Sequence, residues 1–266
     1  MAGRPSAQHV VAWAALPILA LGIAGLWFAR SPDLHLASAA VAADMSQAEF
    51  GQRVRAYLLE HPEVISEALN RLQAKQGETA AADAKTALQA HAAVVFHDPD
   101  SPVGGNPGGS VTLVEFFDYN CPYCKMMAPI ITQAEAADPQ LRIVYKEFPI
   151  LGPGSVFAAK AALAANMQGK YEAFHRALYQ VRGHVDEARV LEVAGTVGID
   201  VDRMKADMQD KAIEGDLERN GALGQVLQIT GTPGFVVGDR VMTGAMDMTA
   251  LQSLISNARK ANRATK

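Results

Sequence analysis

The sequence predicts an α/β fold, and three features of the chain support this prediction. The segment Val111–Phe117 is short, apolar and rich in β-branched and aromatic residues, as is typical of a buried parallel strand. Residues 155–229 have a nearly continuous helical pattern, interrupted only by glycine-containing turns. Two short apolar runs around Gly238–Asp239 then predict a β-hairpin. The predicted order is therefore strand, helix, strand, helical block, hairpin and helix.

Composition excludes several classes of protein. The chain has 266 residues, 49% hydrophobic and 20% charged, so it is neither a disordered chain nor a multi-span membrane protein. A net charge of −4 gives no basic excess, and no nucleic-acid partner is expected. With only two cysteines, the chain lacks a structural disulfide framework, and one cysteine pair supplies half of a zinc site. No metal site is predicted.

Residues 1–43 are predicted to be an export segment. Val10–Ala29 contains no charged residue and, as a helix, would span about 30 Å. The small residues at 37–43 offer cleavage sites for a signal peptidase, the best of them before Asp44. Because the apolar run is longer than an ordinary signal-peptide core, cleavage and retention as a membrane anchor through residues 10–29 both remain open. Both alternatives predict that the rest of the chain is periplasmic.

Residues 44–93 are predicted to form a helical arm. Ser46–Glu49 fits a capping box, and Phe50, Val54 and Leu58 share one helical face. A second helix is expected from Pro62, and a third, alanine-rich helix over Glu78–Ala92. Thin amphipathic helices cannot bury their apolar stripes alone. The arm therefore either packs on the main domain or, as we favour, joins subunits into a dimer or trimer.

The main domain is assigned to residues 94–266, with a helical insertion at about 155–210. A short strand is expected at Val94–Phe96, followed by a loop over residues 97–110 that is rich in proline and glycine. A helix should start near Pro122 and bend at Pro129. A strand is predicted at Leu141–Phe148, and a final helix at Thr249–Asn262.

Cys121 and Cys124 are the residues most clearly suited to chemistry. They form a Cys-Pro-Tyr-Cys sequence between a predicted buried strand and a predicted helix. The partial positive charge of a helix N-terminus favours a thiolate, so Cys121 is expected to be an exposed nucleophile. Cys124 lies one turn further on and can resolve a mixed disulfide at Cys121. An inert disulfide and half of a metal site are the alternatives, but the strand–motif–helix context favours redox chemistry.

The segment Val114–Pro129 resembles the active-site segment of the thioredoxin superfamily, and the inserted helical block makes the chain similar to the DsbA branch. Thr230–Pro233 resembles the second signature of that family, in which the proline is cis and lies against the cysteine pair. The arm region Phe50–Gln73 resembles the N-terminal region of ScsC-like proteins. The resemblance implies a thioredoxin fold with an inserted helical block, preceded by a helical arm.

The resemblance also implies roles for residues around the cysteines. The family often carries an acidic residue at the position of Glu115, and burial there would raise its pKa and suit it to relay protons for Cys124. The alternative is a carboxylate that faces water at a strand edge. Lys146 is a candidate neighbour of Glu115.

Substrate contacts are expected at Pro122, Tyr123, Thr232 and cis Pro233. Tyr123 stands where the strongest oxidants of the family have histidine, so a less oxidising disulfide is expected.

Three methionines and two histidines are expected to have structural roles. Met242, Met246 and Met248 could bind Cu(I), but packing in the core is the favoured interpretation. His175 and His184 are expected on helix surfaces.

The predicted function is that of an exported thiol–disulfide oxidoreductase acting on cysteine pairs of other exported proteins. It would need no cofactor beyond the Cys121–Cys124 disulfide and would exchange electrons with a membrane redox partner. Assembly through the arm would favour disulfide isomerase activity. The alternative is a non-catalytic chaperone or a copper-linked binding scaffold with the same fold.

Overall fold

A computed structural model describes residues 45–264 of the chain. The predicted export segment at residues 1–43 lies outside the described residues. The chain divides into two compact units, one ending at Ile65 and the other starting at Ser66. Within residues 45–264, no helix combines the length and apolar character required to cross a membrane.

The arm begins with helix α1 (Gln47–Glu60), which Ser46 caps through its Oγ, 3.2 Å from the backbone nitrogen of Glu49. Helix α2 then runs without a break over Glu63–Ala90. The prediction of a separate alanine-rich helix from Glu78 was therefore wrong. A single glycine, Gly77, costs a helix only about 1 kcal/mol relative to alanine, and the alanines that follow sustain it.

The predicted strand at Val94–Phe96 is also wrong, because these residues belong to helix α3 (Ala92–His97). Val95 is fully buried and packs in an apolar cluster with Leu88 and Phe116. Burial of this side chain as part of a helical turn outweighs the strand preference of two adjacent valines.

A five-stranded sheet forms the centre of the main domain, with the strand order β1-β3-β2-β4-β5. Strands β2 and β3 are parallel, and β1, β4 and β5 pair antiparallel with their neighbours. The strands are β1 (Val103–Gly105), β2 (Val111–Phe117), β3 (Leu141–Glu147), β4 (Gly234–Val237) and β5 (Arg240–Thr243). The predicted strand at Val111–Phe117 and the hairpin at Gly238–Asp239 are thus confirmed.

Strand β1 was missed because its Val-Gly-Gly sequence lies in the stretch predicted to be loop. Glycine is required at position 104 for a steric reason, since a Cβ there would lie 2.9 Å from the ring of Tyr145 on β3. An edge strand that passes over a tyrosine ring therefore needs a residue with no strand propensity of its own.

Helices cover both faces of the sheet. The remaining helices are α4 (Pro122–Ala137), α5 (Pro153–Met167), α6 (Tyr171–Gln180), α7 (Glu187–Thr196), α8 (Val201–Asp207), α9 (Lys211–Val226) and α10 (Met248–Ala264). Pro129 lies inside α4, as predicted. Side chains alternate along β2, so that Leu113 and Phe117 join the cluster that contains both cysteines, whereas Val114 and Phe116 face the opposite side.

Candidate active site

Cys121 and Cys124 lie where β2 leads into α4. Cys121 is the N-cap residue of α4, and Cys124 is in its first turn. Both are free thiols, and both are buried: Cys121 is 4% exposed and Cys124 is fully covered. The expectation of an exposed Cys121 was wrong, because the loop that carries Thr232 lies against it. The Cys121 thiol donates a hydrogen bond to the carbonyl oxygen of Thr232, at 3.1 Å.

The structure brings the predicted substrate-contacting residues to this place. The Thr232–Pro233 peptide bond is cis, Pro233 is buried and Thr232 is partly exposed. Pro122 and Tyr123 are exposed on the first turn of α4, and Tyr123 has 58% of its surface accessible. Exposed apolar surface thus adjoins a sulfur that is itself covered.

Glu115 is buried in the middle of β2. Burial raises its pKa to about 8, so the carboxyl is mostly protonated at neutral pH. The alternative of a water-facing carboxylate is therefore wrong. Burial, and then the charge of Glu115, raise the pKa of Cys124. Cys124 is thus a thiol that needs a base before it can act as a nucleophile.

Lys146 does not approach Glu115. The strand register pairs Glu115 with Tyr145, so the next residue on β3, Lys146, faces the opposite side of the sheet. Its Nζ lies 2.7 Å from Oδ2 of Asp98, and both side chains are buried. Lys146 is therefore part of a buried ion pair and not a neighbour of the redox pair.

Asp118 is a site residue that sequence reasoning missed. Its buried carboxylate accepts four hydrogen bonds: from the backbone nitrogen of Asn120 at 2.7 Å, Oγ of Ser155 at 2.7 Å, and the backbone nitrogens of Ile150 at 2.8 Å and Leu151 at 2.9 Å. The backbone carbonyl of Asp118 also accepts from Cys121 N, at 3.1 Å. The sequence feature that could have identified Asp118 is an acidic residue directly after an apolar strand and three residues before a cysteine.

Asn120 ties the same loop to the helical insertion. Its Oδ1 accepts from the backbone nitrogen of Val185 at 2.7 Å, and its Nδ2 donates to the carbonyl of Val185 at 3.0 Å. Gly154 is required nearby, because a Cβ there would lie 2.8 Å from the same carbonyl. The loop before Cys121 is therefore held by Asp118 to residues 150 and 151 and by Asn120 to Val185.

His175 is buried, which corrects the expectation of a surface position. Its Nδ1 is 3.0 Å from Oη of Tyr119, and burial lowers its pKa to about 3. Tyr119 and Tyr171 both donate to Oε1 of the buried Glu147. The helical pattern alone could not show that α6 turns this histidine toward an aromatic cluster. His184 is exposed, as expected, but it lies in the loop between α6 and α7 and not on a helix.

The three methionines near Gly244 pack against the core. Met242, Met246 and Met248 are each half-buried against the cluster that contains the cysteines. The backbone nitrogen of Met246 lies 3.3 Å from Sδ of Met127. Within the described part of the chain, no group of three or more histidine, cysteine or acidic side chains could hold a metal ion.

Two regions of the chain match families of known proteins. Residues 112–256 match the DSBA-like thioredoxin domain, and residues 47–78 match the copper resistance protein ScsC N-terminal domain. A thioredoxin-like oxidoreductase from Silicibacter pomeroyi DSS-3 is 48% identical, with a TM-score of 0.62, and the match covers 63% of this chain and 97% of that one. BcfH from Salmonella enterica Typhimurium is 30% identical, with a TM-score of 0.70, over 84% and 99% of the two chains.

Some relatives are longer proteins that contain a related region. The Na(+)/H(+) antiporter NhaA 3 of Salinispora tropica is 29% identical over 164 residues, which is 60% of this chain and 25% of the antiporter. The chain thus spans about a quarter of the length of that relative. The match of residues 112–256 and the similarity to BcfH over 84% of the chain show that the chain belongs to the DSBA-like thioredoxin family, with an ScsC-type N-terminal region.

Proposed function

We propose that this chain is an exported thiol–disulfide oxidoreductase that uses Cys121 and Cys124 as its redox pair. The observation that carries the proposal is the position of Cys121 at the N-cap of α4, with its sulfur 3.1 Å from the Thr232 carbonyl and a second thiol one turn away. A helix N-terminus stabilises the thiolate needed for attack, and a nearby second thiol releases the product. The Silicibacter oxidoreductase supports this activity.

In the oxidising direction, a substrate thiolate attacks Sγ of Cys121 in the disulfide form of the pair. The Cys121–Cys124 bond breaks, a substrate–Cys121 bond forms, and Cys124 leaves with the electron pair and takes up a proton. A second substrate thiolate then attacks the substrate sulfur of the mixed disulfide, and Cys121 leaves as a thiolate. Two electrons pass from the substrate to the pair.

Glu115 is proposed as the group that exchanges this proton with Cys124. Its pKa of about 8 places proton loss and gain close to neutral pH, where a relay works in both directions. Its charge acts on Cys124, whose pKa rises partly for that reason. Pro122, Tyr123 and Thr232 border the covered sulfur and are proposed to contact the substrate.

The arm is proposed to join copies of this chain and so to favour isomerisation. Phe50, Val54, Tyr57 and Ile65 are exposed in the first unit, although each would stabilise an interface by about 1.5–3 kcal/mol if fully buried. Several redox pairs held together would meet one substrate at high effective concentration. A wrong substrate disulfide, attacked by reduced Cys121, would then be recaptured by a neighbouring pair.

The arm proposal is tested on the exported part of the chain by light scattering. The double variant Phe50→Glu/Val54→Glu should be monomeric and should lose most activity on scrambled disulfides, while small-dithiol exchange persists. The matched control, Gln52→Glu/Arg55→Glu, changes exposed polar residues of the same helix and should leave the assembly intact. A wild-type protein that is already monomeric would refute association, and with it the main support for isomerase activity.

The oxidoreductase proposal is tested by Cys121→Ser. This variant should lose all turnover of substrate disulfides, because it removes the attacking sulfur. A chaperone or copper-linked scaffold, in which the pair is incidental, would keep its activity in this variant. The reduction potential of the pair would then separate an oxidant from a reductant.

A further inference from the structure

Residues 181–185, in the loop between α6 and α7, lie against the residues that flank the redox pair. Asn120, directly before Cys121, accepts a hydrogen bond from the backbone nitrogen of Val185 at 2.7 Å and donates one to its carbonyl at 3.0 Å. These two bonds hold one end of the loop beside the nucleophile.

The other end of the loop is held by Lys125, the residue directly after Cys124. Its Nζ donates to the carbonyl oxygen of Gly183 at 2.7 Å and lies 3.4 Å from that of Val181. Both acceptors are neutral, and Lys125 has no carboxylate partner among residues 45–264. The ammonium therefore anchors the loop and leaves a positive charge beside the redox pair.

Arg182 adds a second positive charge at the same place. It lies between the two residues whose carbonyl groups face Lys125, and its side chain is exposed. In the described part of the chain it has neither a hydrogen-bond partner nor an ion-pair partner. The next acidic residue, Asp186, accepts from the backbone nitrogen of Arg189 at 3.0 Å and caps α7. The guanidinium of Arg182 is thus available to a carboxylate from another molecule.

Exposed apolar side chains accompany this positive charge around the redox pair. Tyr123 and Met126 are exposed on α4, and Ile150 and Leu151 are exposed in the segment before α5. The acidic residue of this region, Asp118, is buried and already accepts four hydrogen bonds. A polypeptide that contacts the apolar side chains would therefore meet a cation, and not an anion, at residues 181–185.

We propose that residues 181–185 determine substrate specificity, and that Arg182 selects substrates with an aspartate or glutamate close to the reacting cysteine. The inference rests on the proposed thiol–disulfide exchange and names its substrate class. A guanidinium matches the geometry of a carboxylate and pairs with it through two parallel hydrogen bonds. Opposite charges also speed the encounter, whereas a lysine at the same place in a substrate would be repelled.

Paired peptide disulfides test this selection. One set carries a single glutamate one or two residues before or after the cysteine, and the matched set carries glutamine there. Each is mixed with the reduced protein, and the release of the first peptide thiol gives a second-order rate constant. At the best position, the Glu/Gln ratio of rate constants should fall at least about threefold from wild type to Arg182→Gln, as for an exposed ion pair, and further in Arg182→Glu. Because the same peptides are used throughout, their own reactivity cancels.

Arg240→Glu provides the matched control. Arg240 is also exposed, but it pairs with Val237 on the hairpin, at the end of the sheet opposite the cysteines. The same change of charge there should leave the Glu/Gln ratio at its wild-type value. The difference between wild type and Arg182→Glu should shrink at about 1 M salt, where the Debye length falls to about 3 Å.

The outcomes separate the inference from the proposed function. A ratio that is the same in wild type and Arg182→Glu at all four positions, or one that Arg240→Glu lowers equally, would overturn the role of Arg182. Circular dichroism checks the fold of each variant, and Arg182→Gln alone decides if the charge reversal unfolds the chain. A wild-type protein that reacts with neither peptide set would instead refute the proposed oxidoreductase activity.

Discussion

The sulfur of Cys121 and the carbonyl oxygen of Thr232 lie 3.1 Å apart, although 111 residues separate them in the sequence. The loop that carries Thr232 thus contributes to the small exposure of Cys121 and is the loop at which we propose that a substrate approaches. Cys121 is held at a helix N-cap on one side and at a backbone carbonyl on the other. The predictions below follow from this geometry and from the buried groups around it.

Alkylation should distinguish the two thiols. At pH 7, iodoacetamide should modify Cys121 at least about 10²-fold faster than Cys124, because burial raises the pKa of Cys124 and only a thiolate reacts. Peptide mapping by mass spectrometry measures both rates in one sample. Equal rates, or faster modification of Cys124, would contradict the assigned roles.

Glu115 should make the protein less stable as the pH rises. Its pKa is about 8 in the folded chain against 4.5 ordinarily, so between these values the folded state holds a proton that the unfolded state has lost. The free energy of unfolding should therefore fall by up to about 1.4 kcal/mol per pH unit through this group.

The matched variant is Glu115→Gln, which keeps the shape of a protonated carboxyl. Urea unfolding at pH 5, 6, 7 and 8 should show the variant gaining stability relative to wild type as the pH rises. A difference that does not change with pH would mean that Glu115 is ionised in the folded protein.

The buried ion pair of Lys146 and Asp98 should contribute strongly to stability. Asp98→Asn leaves the fully covered Lys146 ammonium without its charge partner, and should lower the free energy of unfolding by about 3–5 kcal/mol. The control is Asp100→Asn, whose 61% exposed side chain pairs with Arg219 and should matter by less than about 1 kcal/mol. Similar effects from the two variants in urea titrations would argue against a buried pair.

Asp118 should affect polypeptide substrates more than small dithiols. Asp118→Asn places an amide donor against the backbone nitrogens of Ile150 or Leu151, and so releases the exposed apolar loop that Asp118 holds. We expect KM for a peptide substrate to rise at least about threefold while the rate with dithiothreitol changes little, since one lost charged hydrogen bond is worth about 1.5–3 kcal/mol. Ser155→Ala, which removes one donor to the same carboxylate, should have a smaller effect. Equal losses with both substrates would assign Asp118 to the sulfur chemistry itself.

Local patterns made much of the fold predictable. Val111–Phe117 is a strand and Ser46 caps α1, because apolar runs and capping residues act over a few neighbouring positions. The Cys-Pro-Tyr-Cys sequence likewise marked the end of the strand and the start of α4.

Long-range packing explains what the sequence could not predict. Whether Lys146 faces Glu115 depends on the register of β2 against β3, and its true partner, Asp98, lies 48 residues away. Val95 takes a helical conformation because the core covers it. Nothing near His175 in the sequence shows that Tyr119 lies 3.0 Å from its ring.

The most direct test of the redox assignment is to trap its intermediate. A Cys124→Ser variant in the reduced state should form a stable mixed disulfide through Cys121 when mixed with a peptide disulfide, because the resolving thiol is absent. Intact mass spectrometry should show one peptide added per chain, and digestion should place it on Cys121, while the wild-type protein returns to an unmodified, oxidised mass. A Cys124→Ser chain that gains no peptide would contradict the claim that Cys121 is the attacking sulfur.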